Sequence, residues 1–572
     1  MLRPIVAKMM KLGMSVKGRT MMDILDHRSR NVKAAQEAIL RDILGYAKDT
    51  VYGRAHDFGR IDSPEAFRDA VPINTYETLR PYVDRHTRGE ENVLFPGKPM
   101  FYATTSGTTD KPKLIPITRK YHDECYNGLT KLWFYSMFRQ NPDFLDGRDI
   151  SMVGKAVEGR TPDGTTYGSF SGHMNAYMPK FAKRFRVIPF EVHDIDDYAS
   201  KYYTLMRIGL EVPIRWIVAA NPSTLVELHK FAVAHFEDIV TDIERGTLKA
   251  DLDIPDPIRS AVERRLAPNA KRADALRAIY RTTASLLPKH YWPTLKLVNT
   301  WKCGNSGLYL KQTQGFYPER TVVREFGYLA TEARAGIVLD NDDDASVLAA
   351  HLLFFEFIKA TDIDTEAPRI YLAHELEVGE AYYIVITTPS GLYRYNINDI
   401  VRVEGFYNEF PKIRFMQKGK GVVSLTGEKL SEAQYLAAVE RAQNALGIEI
   451  PFHVAFGDVD TSRYHVFIEP SADDTMLNLD ALSEEIDAGL TALNMEYTAK
   501  RRSNRIKPPL VHPLPPLAFQ HYKQQSLEAG AREGQFKMSQ LSIDGERFKV
   551  FTELSRTQTP PPGRRAAKPS TK

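Results

Sequence analysis

The chain contains little cysteine and no long apolar run, and both absences narrow its class. Only Cys125 and Cys303 are present among 572 residues, too few for a disulfide framework, and no Cys and His spacing typical of a metal site occurs. No run of about 18 apolar residues is available to cross a bilayer. Residues 1–16 place Lys8 and Lys11 among apolar side chains, which predicts an amphipathic helix rather than a signal peptide. We expect a cytoplasmic protein that does not bind membranes.

The net charge, the composition and the length narrow the class of the protein. A net charge of +4 over 572 residues is too small to indicate nucleic-acid binding. The composition, 43% hydrophobic and 26% charged, is that of a globular protein, and the length exceeds what one hydrophobic core usually holds. We expect at least two lobes, and we expect a monomer.

Strand and helix patterns divide the chain into a large and a small part. Alternating signals as far as about residue 420 predict an α/β fold with a large N-terminal domain over residues 1–418. A new strand and helix pattern predicts a small α+β domain over residues 422–557, with 418–421 as a glycine hinge that makes it mobile. The proline-rich and basic residues 558–572 predict a disordered tail. Residues 507–516 predict an extended surface segment.

Residues 104–113 form a hydroxyl-rich loop between two β-prone stretches, 100–103 and 114–117. Gly107 lets backbone amides turn into one concavity, while hydroxyls and lysines add donors and positive charge. The hydroxyl donors are Thr105, Ser106, Thr108 and Thr109. These groups suit phosphate oxygens, although a solvated hairpin turn is the alternative. The loop is not a Walker A motif, because the Gly-Lys-Ser/Thr ending is missing. An amphipathic helix with Thr118 as its N-cap is predicted to follow.

The order Thr-Ser-Gly-Thr-Thr-x-x-Pro-Lys resembles the phosphate loop of the adenylate-forming superfamily, which includes acyl-CoA ligases and acyl-acid amido synthetases. Asp110 stands where that superfamily usually has Gly. A second segment, Tyr-Leu-Ala-Thr-Glu at 328–332, resembles Tyr-Ala-Ser-Ser-Glu of the amido synthetases. The resemblance implies that Tyr328 stacks on adenine, Thr331 bonds a phosphate or carboxylate, and Glu332 is a catalytic residue that holds Mg²⁺. Without the resemblance, Glu332 would be interpreted as a surface carboxylate.

A third segment lies in a predicted hairpin, with strands over 382–388 and 392–403 and a turn between them. Its residues 393–399, Tyr-Arg-Tyr-Asn-Ile-Asn-Asp, resemble Tyr-Arg-Tyr-x-x-Gly-Asp of the amido synthetases. The resemblance implies that Asp399 accepts both ribose hydroxyls of ATP. Asn398 replaces the usual Gly, and Asn is the next best residue for a positive φ.

Two further segments are similar to the acyl-acid amido synthetases, the auxin-responsive Gretchen Hagen family. They are the Phe-Glu-Phe of residues 353–358 and the lysine motif of residues 534–538. The resemblance implies ATP and Mg²⁺ as cofactors, a carboxylic acid and an amino acid as substrates, and Lys537 as a catalytic cation carried by the small domain. Without the resemblance, Lys537 would be interpreted as a solvated lysine. The Ser-Gly-Lys ending of CoA ligases is absent.

Three functions remain open from the sequence. The first is a ligase that adenylates an acid and transfers the acyl group to an amino acid. The second transfers it to CoA or another thiol, and the third is a binding protein of the same fold without turnover. The sequence does not identify the carboxylic acid, because specificity depends on the shape of the pocket. The glycine-rich residues 154–172 and the segment 301–307 are candidates to line its pocket, with a surface loop as the alternative for the first.

Overall fold

The structure is a computed structural model that describes residues 2–105, 113–178, 183, 186–283, 285–304, 306–363, 365–419, 421–470, 477–518, 521–522 and 539–556. The chain forms two compact units, of which the first contains the described residues up to 419 and the second those from 421 onward. The predicted tail, 558–572, lies outside the described residues. Among the described residues, no helix is both long and apolar enough to span a membrane.

Helices dominate the first hundred residues and surround the sheets after them. Those of the first unit are α1 Leu2–Arg28, α2 Val32–Ala47, α3 Val51–Ala55, α4 Pro64–Ala70, α5 Tyr76–Thr87, α6 Asn127–Gln140, α7 Phe170–Ala176, α8 Tyr198–Gly209, α9 Pro222–Ala234, α10 Phe236–Arg245, α11 Asp256–Glu263, α12 Ala270–Thr283, α13 Pro288–Tyr291 and α14 Ser306–Gln312. Polar side chains cap several helix starts: Asn31 accepts a hydrogen bond from Ala34 N, and Asp197 from Ser200 N.

The strands of the first unit form three sheets. They are β1 Phe101–Thr105, β2 Lys113–Ile117, β3 Arg148–Ser151, β4 Gly159–Arg160, β5 Thr166–Gly168, β6 Ile214–Val218, β7 Leu297–Thr300, β8 Val322–Glu325, β9 Gly336–Ile337, β10 Ser346–Leu348, β11 Phe354–Lys359, β12 Ile370–Leu372, β13 Ala381–Thr387, β14 Tyr395–Tyr407 and β15 Phe410–Lys418. The sheet orders are β2-β1-β5-β4, β3-β6-β7-β8 and β12-β11-β13-β14-β15-β10-β9.

The three sheets differ in strand direction. The sheet β3-β6-β7-β8 is parallel, and its short apolar strands are connected through helices, as parallel pairing requires. The seven-stranded sheet is antiparallel throughout and contains the long β13–β14–β15 meander. One apolar core joins this meander to the early helices, and a second packs helices α8–α12 on the parallel sheet. The mixed α/β fold predicted from the sequence is therefore confirmed.

The second unit is a small α+β fold. Its helices are α15 Glu432–Leu446, α16 Leu479–Leu493, α17 Met495–Arg502 and α18 Gly545–Arg556. Its strands are β16 Val422–Val423, β17 Leu430–Ser431, β18 Phe452–Asp458, β19 Arg463–Glu469, β20 Leu510–Pro513 and β21 Leu541–Ser542. Ser431 caps helix α15, since its hydroxyl accepts from Gln434 N while Gln434 Oε1 accepts from Ser431 N.

Two segments contain regular structure that the sequence did not predict. Residues 510–513 of the predicted extended segment form the edge strand β20, which pairs in parallel with β19. Proline is tolerated there because an edge strand leaves one side of its backbone unpaired. The glycine-rich residues 154–172 also contain regular structure, β4, β5 and the start of α7, and Gly168 lies where a Cβ atom would approach the Ala156 carbonyl oxygen to 2.2 Å.

Candidate active site

The predicted phosphate loop is closed by a β-hairpin. Strands β1 and β2 pair antiparallel, with Thr105 opposite Lys113, so the hairpin brings the two ends of residues 106–112 together. Thr105 is buried at the end of β1. Ser106, Gly107, Thr108 and Thr109 lie outside the described residues. The expectation that the loop is a reversal between two strands is confirmed, and its role in binding phosphate stays a prediction.

Thr118 connects the segment after β2 to the turn that precedes the third motif. Its hydroxyl accepts from Tyr121 N at 3.2 Å, as predicted for an N-cap. Its own backbone N–H donates to Ser390 Oγ at 3.1 Å, in the turn between β13 and β14. One turn of π-helix over Tyr121–Tyr126 precedes α6, and π-helical turns often occur at functional sites. The hydrogen bond from Thr118 to Ser390 thus fixes the segment after β2 against the β13–β14 hairpin.

The second motif is a tight reversal of the chain. The Tyr328 carbonyl oxygen accepts from the N–H groups of Ala335 and Gly336, both at 3.0 Å. Within this reversal, Ala330 N donates to the Ala333 carbonyl oxygen at 2.9 Å. Thr331 and Glu332 therefore occupy the tip, with Thr331 half-buried and Glu332 buried. A buried carboxylate at a tip differs from the surface carboxylate that the sequence left as the alternative.

The second and third motifs meet through a side-chain hydrogen bond. Tyr328 Oη donates to Asp399 Oδ2 at 2.8 Å, joining residues 71 positions apart. Asp399 lies on β14 opposite Lys418 on β15, and the Lys418 ammonium pairs with the other carboxylate oxygen, Oδ1. Both charged side chains are largely buried, with 4% of Asp399 and 13% of Lys418 exposed. Asp399 is thus a buried, oriented acceptor.

Burial controls the protonation of the tyrosines in this group. Burial, with the charge of Asp399 and its hydrogen bond, raises the pKa of Tyr328 well above its usual value. Burial also raises the pKa of Tyr395 well above its usual value, and the charges of Glu332 and Asp399 act in the same direction. Both phenols therefore stay protonated at neutral pH, and that of Tyr328 donates to Asp399. The four side chains form one electrostatically coupled cluster.

Asn398 confirms one detail read from the sequence. Its φ is +58°, in the left-handed region that Gly and Asn favour. Its carbonyl oxygen accepts from Gly419 N at 2.8 Å. A Cβ atom at Gly419 would lie 2.3 Å from a Tyr383 ring carbon. Gly419 is thus required by close packing, whereas Gly421 has a φ of +73° and open space around it. The hinge at residues 418–421 stays a prediction.

The start of the third motif is structural, and this was not predicted. Arg394 has a φ of +43°, and its buried guanidinium donates through Nε to Glu356 Oε2 at 2.8 Å and through Nη1 to the Val71 carbonyl oxygen at 2.6 Å. The sequence predicted that this strand begins at residue 392. The network of Arg394 explains why β14 begins instead at Tyr395. It also gives the Glu of the Phe-Glu-Phe segment a role as the partner of Arg394. Only the fold brings these residues together.

Tyr328 has an aromatic neighbour, Phe415. Its ring and that of Phe415 on β15 are nearly parallel, 15° apart with centroids separated by 6.4 Å. A Cβ atom at Gly304 would approach the Phe415 ring to 3.0 Å. The segment 301–304 is fixed here because Glu325 Oε2 accepts from Lys302 N at 2.5 Å and from Cys303 N at 3.2 Å. The candidate segment 301–307 thus begins beside Phe415, while Lys537 lies outside the described residues.

Comparisons with known proteins agree with this geometry. Models of the GH3 family match in chain order: the N-terminal domain over residues 21–322, the central domain over 346–418 and the C-terminal domain over 433–546. Indole-3-acetic acid-amido synthetase GH3.17 of Arabidopsis thaliana is 27% identical, over 85% of this chain and 86% of the relative. Jasmonoyl–L-amino acid synthetase GH3.5 of Oryza sativa subsp. japonica is 25% identical, over 93% and 96%.

The fold has a solved counterpart. The acyl acid amido synthetase AtGH3.15 in complex with 2,4-DB superimposes with a TM-score of 0.64 at 22% identity, covering 94% of this chain and 96% of that one. This similarity extends over both units of the chain, so it shows that the two proteins share a fold. The family matches confirm the resemblance independently: the chain belongs to the GH3 family.

Proposed function

We propose that the protein is an ATP- and Mg²⁺-dependent acyl acid amido synthetase. It joins a carboxylic acid to the amine of an amino acid through an acyl-adenylate. The observation that carries this proposal is the hydrogen bond from Tyr328 to Asp399, since it assembles two distant motifs beside the buried Glu332. Family membership and relatives whose names are amido synthetases support it.

The residue roles follow from the side-chain chemistry. Tyr328 offers a fixed aromatic face for adenine, and its hydroxyl orients Asp399. The Asp399 carboxylate has two oxygens, which match the two vicinal hydroxyls of a ribose. A nucleotide would have to take over acceptor capacity that Tyr328 and Lys418 use here. Thr105, Ser106, Gly107, Thr108 and Thr109 are proposed to hold the phosphates, together with Thr331.

The donor set fits Mg²⁺ held chiefly by phosphate oxygens. Across the described ranges, no cluster of three or more His, Cys, Asp or Glu side chains could form a metal cage. Glu332 supplies a buried hard-oxygen ligand at the tip of the 328–336 reversal. Mg²⁺ is commonly bound by one or two carboxylates plus substrate phosphates. When bound, the ion would neutralise charge on the phosphate oxygens, and Glu332 is the residue that would hold it.

The proposed reaction has two steps. A carboxylate oxygen of the acid attacks the α-phosphorus of ATP, and pyrophosphate leaves. The amine then attacks the acyl carbon, and AMP leaves with that oxygen. Negative charge develops in the first step as pyrophosphate departs, and a positioned ammonium stabilises it. Lys537 is proposed for this role, with the small domain, residues 422–557, carrying it to the large domain, residues 1–418, about a hinge near Gly421.

The acceptor distinguishes this function from its nearest alternative. Purified protein is incubated with ATP, Mg²⁺ and a panel of acids, with either mixed amino acids or CoA, and products are identified by mass spectrometry. We expect AMP and an amide that contains an amino acid. The variant Asp399→Asn should form AMP more slowly. Its matched control is Asp340→Asn, at an exposed carboxylate of the same unit, which should retain activity. A thioester as the sole product, or AMP formed by Asp399→Asn at the unaltered rate, contradicts the proposal.

A further inference from the structure

Arg334 is a buried arginine whose hydrogen bonds are incomplete. It is 3% exposed, and Nη1 donates to Thr130 Oγ1 at 3.1 Å. Its Nε and Nη2 atoms are buried and have no hydrogen-bond partner among the described residues. The guanidinium carbon lies 5.2 Å from the centre of the Trp133 ring and 5.9 Å from that of Tyr126. Aromatic faces offset part of the desolvation of a cation, but they do not satisfy its donors.

Buried arginines of this unit differ in the acceptors that the fold supplies. Arg394 pairs with Glu356 at 2.8 Å, and Arg207 with Glu211 at 2.6 Å. Arg324 donates through Nη2 to Ser136 Oγ at 3.0 Å and to the Val338 carbonyl oxygen at 2.9 Å, while its Nε and Nη1 have no hydrogen-bond partner among the described residues. Burial of a cation without an anion is strongly unfavourable. Arg334 has a hydroxyl as its acceptor and no carboxylate partner among the described residues, and an anionic ligand would supply one.

The guanidinium contacts helix α6 and the turn before it. Its neighbours there are Thr130, Trp133 and Tyr126. Asp399, in contrast, is held by Tyr328 and Lys418. A group bound by Arg334 would therefore have neighbours other than those that hold Asp399.

Half-buried and aromatic side chains lie beside the guanidinium. Tyr126 and Thr130, which border it, are half-buried. Phe170, at the start of α7 in the glycine-rich segment, packs edge-on against Tyr126 with ring centroids 5.0 Å apart. The carbon frame of an acid bound at Arg334 would therefore contact aromatic rings. This is the composition of a small-molecule pocket: mostly apolar, with a few polar groups that fix orientation.

We propose that Arg334 determines substrate specificity by binding a second anionic group, so that the preferred acid is a dicarboxylate. This inference rests on the proposed function and names its substrate class. One carboxylate of the acid pairs with Nε and Nη2 of Arg334, in the bidentate manner that guanidinium geometry favours. The other carboxylate reacts with ATP. Thr130 holds the guanidinium through Nη1.

The test compares acids matched in their carbon frame. Phenylacetate and 4-carboxyphenylacetate form one pair, and hexanoate and hexanedioate the other. Acid-dependent ATP–pyrophosphate exchange and the shift in melting temperature with acid alone are measured for each. We expect both to favour the dicarboxylate in at least one pair. In Arg334→Met, kcat/KM for that dicarboxylate should fall by roughly 30-fold or more relative to its partner, as for loss of one member of a buried charge pair.

Stability separates a binding role from a structural one. Because Arg334→Met removes a buried charge, the melting temperature of the ligand-free variant should not fall below that of the unaltered protein. Arg334→Lys should keep part of the dicarboxylate preference, and Arg139→Met, at an exposed arginine of α6, should change neither property. A lower melting temperature with an unchanged preference overturns the proposal, as does the absence of any dicarboxylate advantage. If exchange fails but dicarboxylates still raise the melting temperature through Arg334, the proposed function fails and this site stands.

Discussion

Asp399 gives the sharpest separation between structural and nucleotide-binding roles. Asp399→Asn keeps the size of the side chain and an acceptor for Tyr328, whose bond is 2.8 Å long. It removes the negative charge that faces the Lys418 ammonium, in a pair with 4% and 13% of the side chains exposed. Removing one partner of a buried ion pair costs about 3–5 kcal/mol. Because Asn retains an acceptor, we expect the free energy of unfolding to fall by about 3 kcal/mol.

The same substitution should weaken the use of ATP. A hydrogen bond to a charged group contributes about 1.5–3 kcal/mol, which corresponds to roughly 10- to 150-fold in apparent affinity for ATP. The assay is the ATP dependence of acid-stimulated pyrophosphate exchange. The double variant Asp399→Asn/Lys418→Met removes the stranded cation, so it should recover much of the stability while the ATP defect remains. Recovery of the normal ATP requirement in the double variant would refute the reasoning, since Asp399 would then act only through Lys418.

Three further perturbations test separate parts of the account. Glu332→Gln should raise the Mg²⁺ concentration needed for pyrophosphate exchange by about tenfold, because one charged oxygen ligand is lost; an unchanged Mg²⁺ titration contradicts its assignment. Lys537→Ala should reduce exchange by about 10²–10³-fold and still convert a supplied acyl-adenylate to amide; exchange at the normal rate assigns the lysine to surface charge. Burial lowers the pKa of His351 to about 4, so the folded state holds its imidazole neutral. The free energy of unfolding should therefore fall by up to about 3 kcal/mol as the pH drops from about 6.5 toward 4. His351→Gln should flatten this dependence in urea unfolding at pH 7 and 4.5, and an equal slope in the variant shows that other groups cause it.

The sequence was informative where local pattern determines structure. The β1–β2 hairpin and the cap at Thr118 follow from residue preferences over a few positions. The positive φ of Asn398 also followed from the side chain alone. The three motifs were recognisable because their order along the chain is specific, and the family matches agree with them.

Contacts between residues far apart along the chain could not be predicted from the sequence. The displaced start of β14 depends on Arg394 finding Glu356, 38 positions away. The pairing of β20 with β19 overrides the prolines around residues 510–513 because only one side of that strand is paired. Nothing local marks Arg334 either, since its significance lies in the acceptors that its surroundings do not provide. These features depend on tertiary neighbours rather than on local preference.

The central claim is that the acid is activated by attack of its carboxylate on the α-phosphorus of ATP. The direct measurement uses an acid whose carboxylate oxygens are labelled with ¹⁸O, in a complete reaction with ATP, Mg²⁺ and amino acids. The account predicts one ¹⁸O atom in the AMP released for each amide formed, with pyrophosphate unlabelled. Label in inorganic phosphate accompanied by ADP, or amide formed without label in AMP, would contradict it.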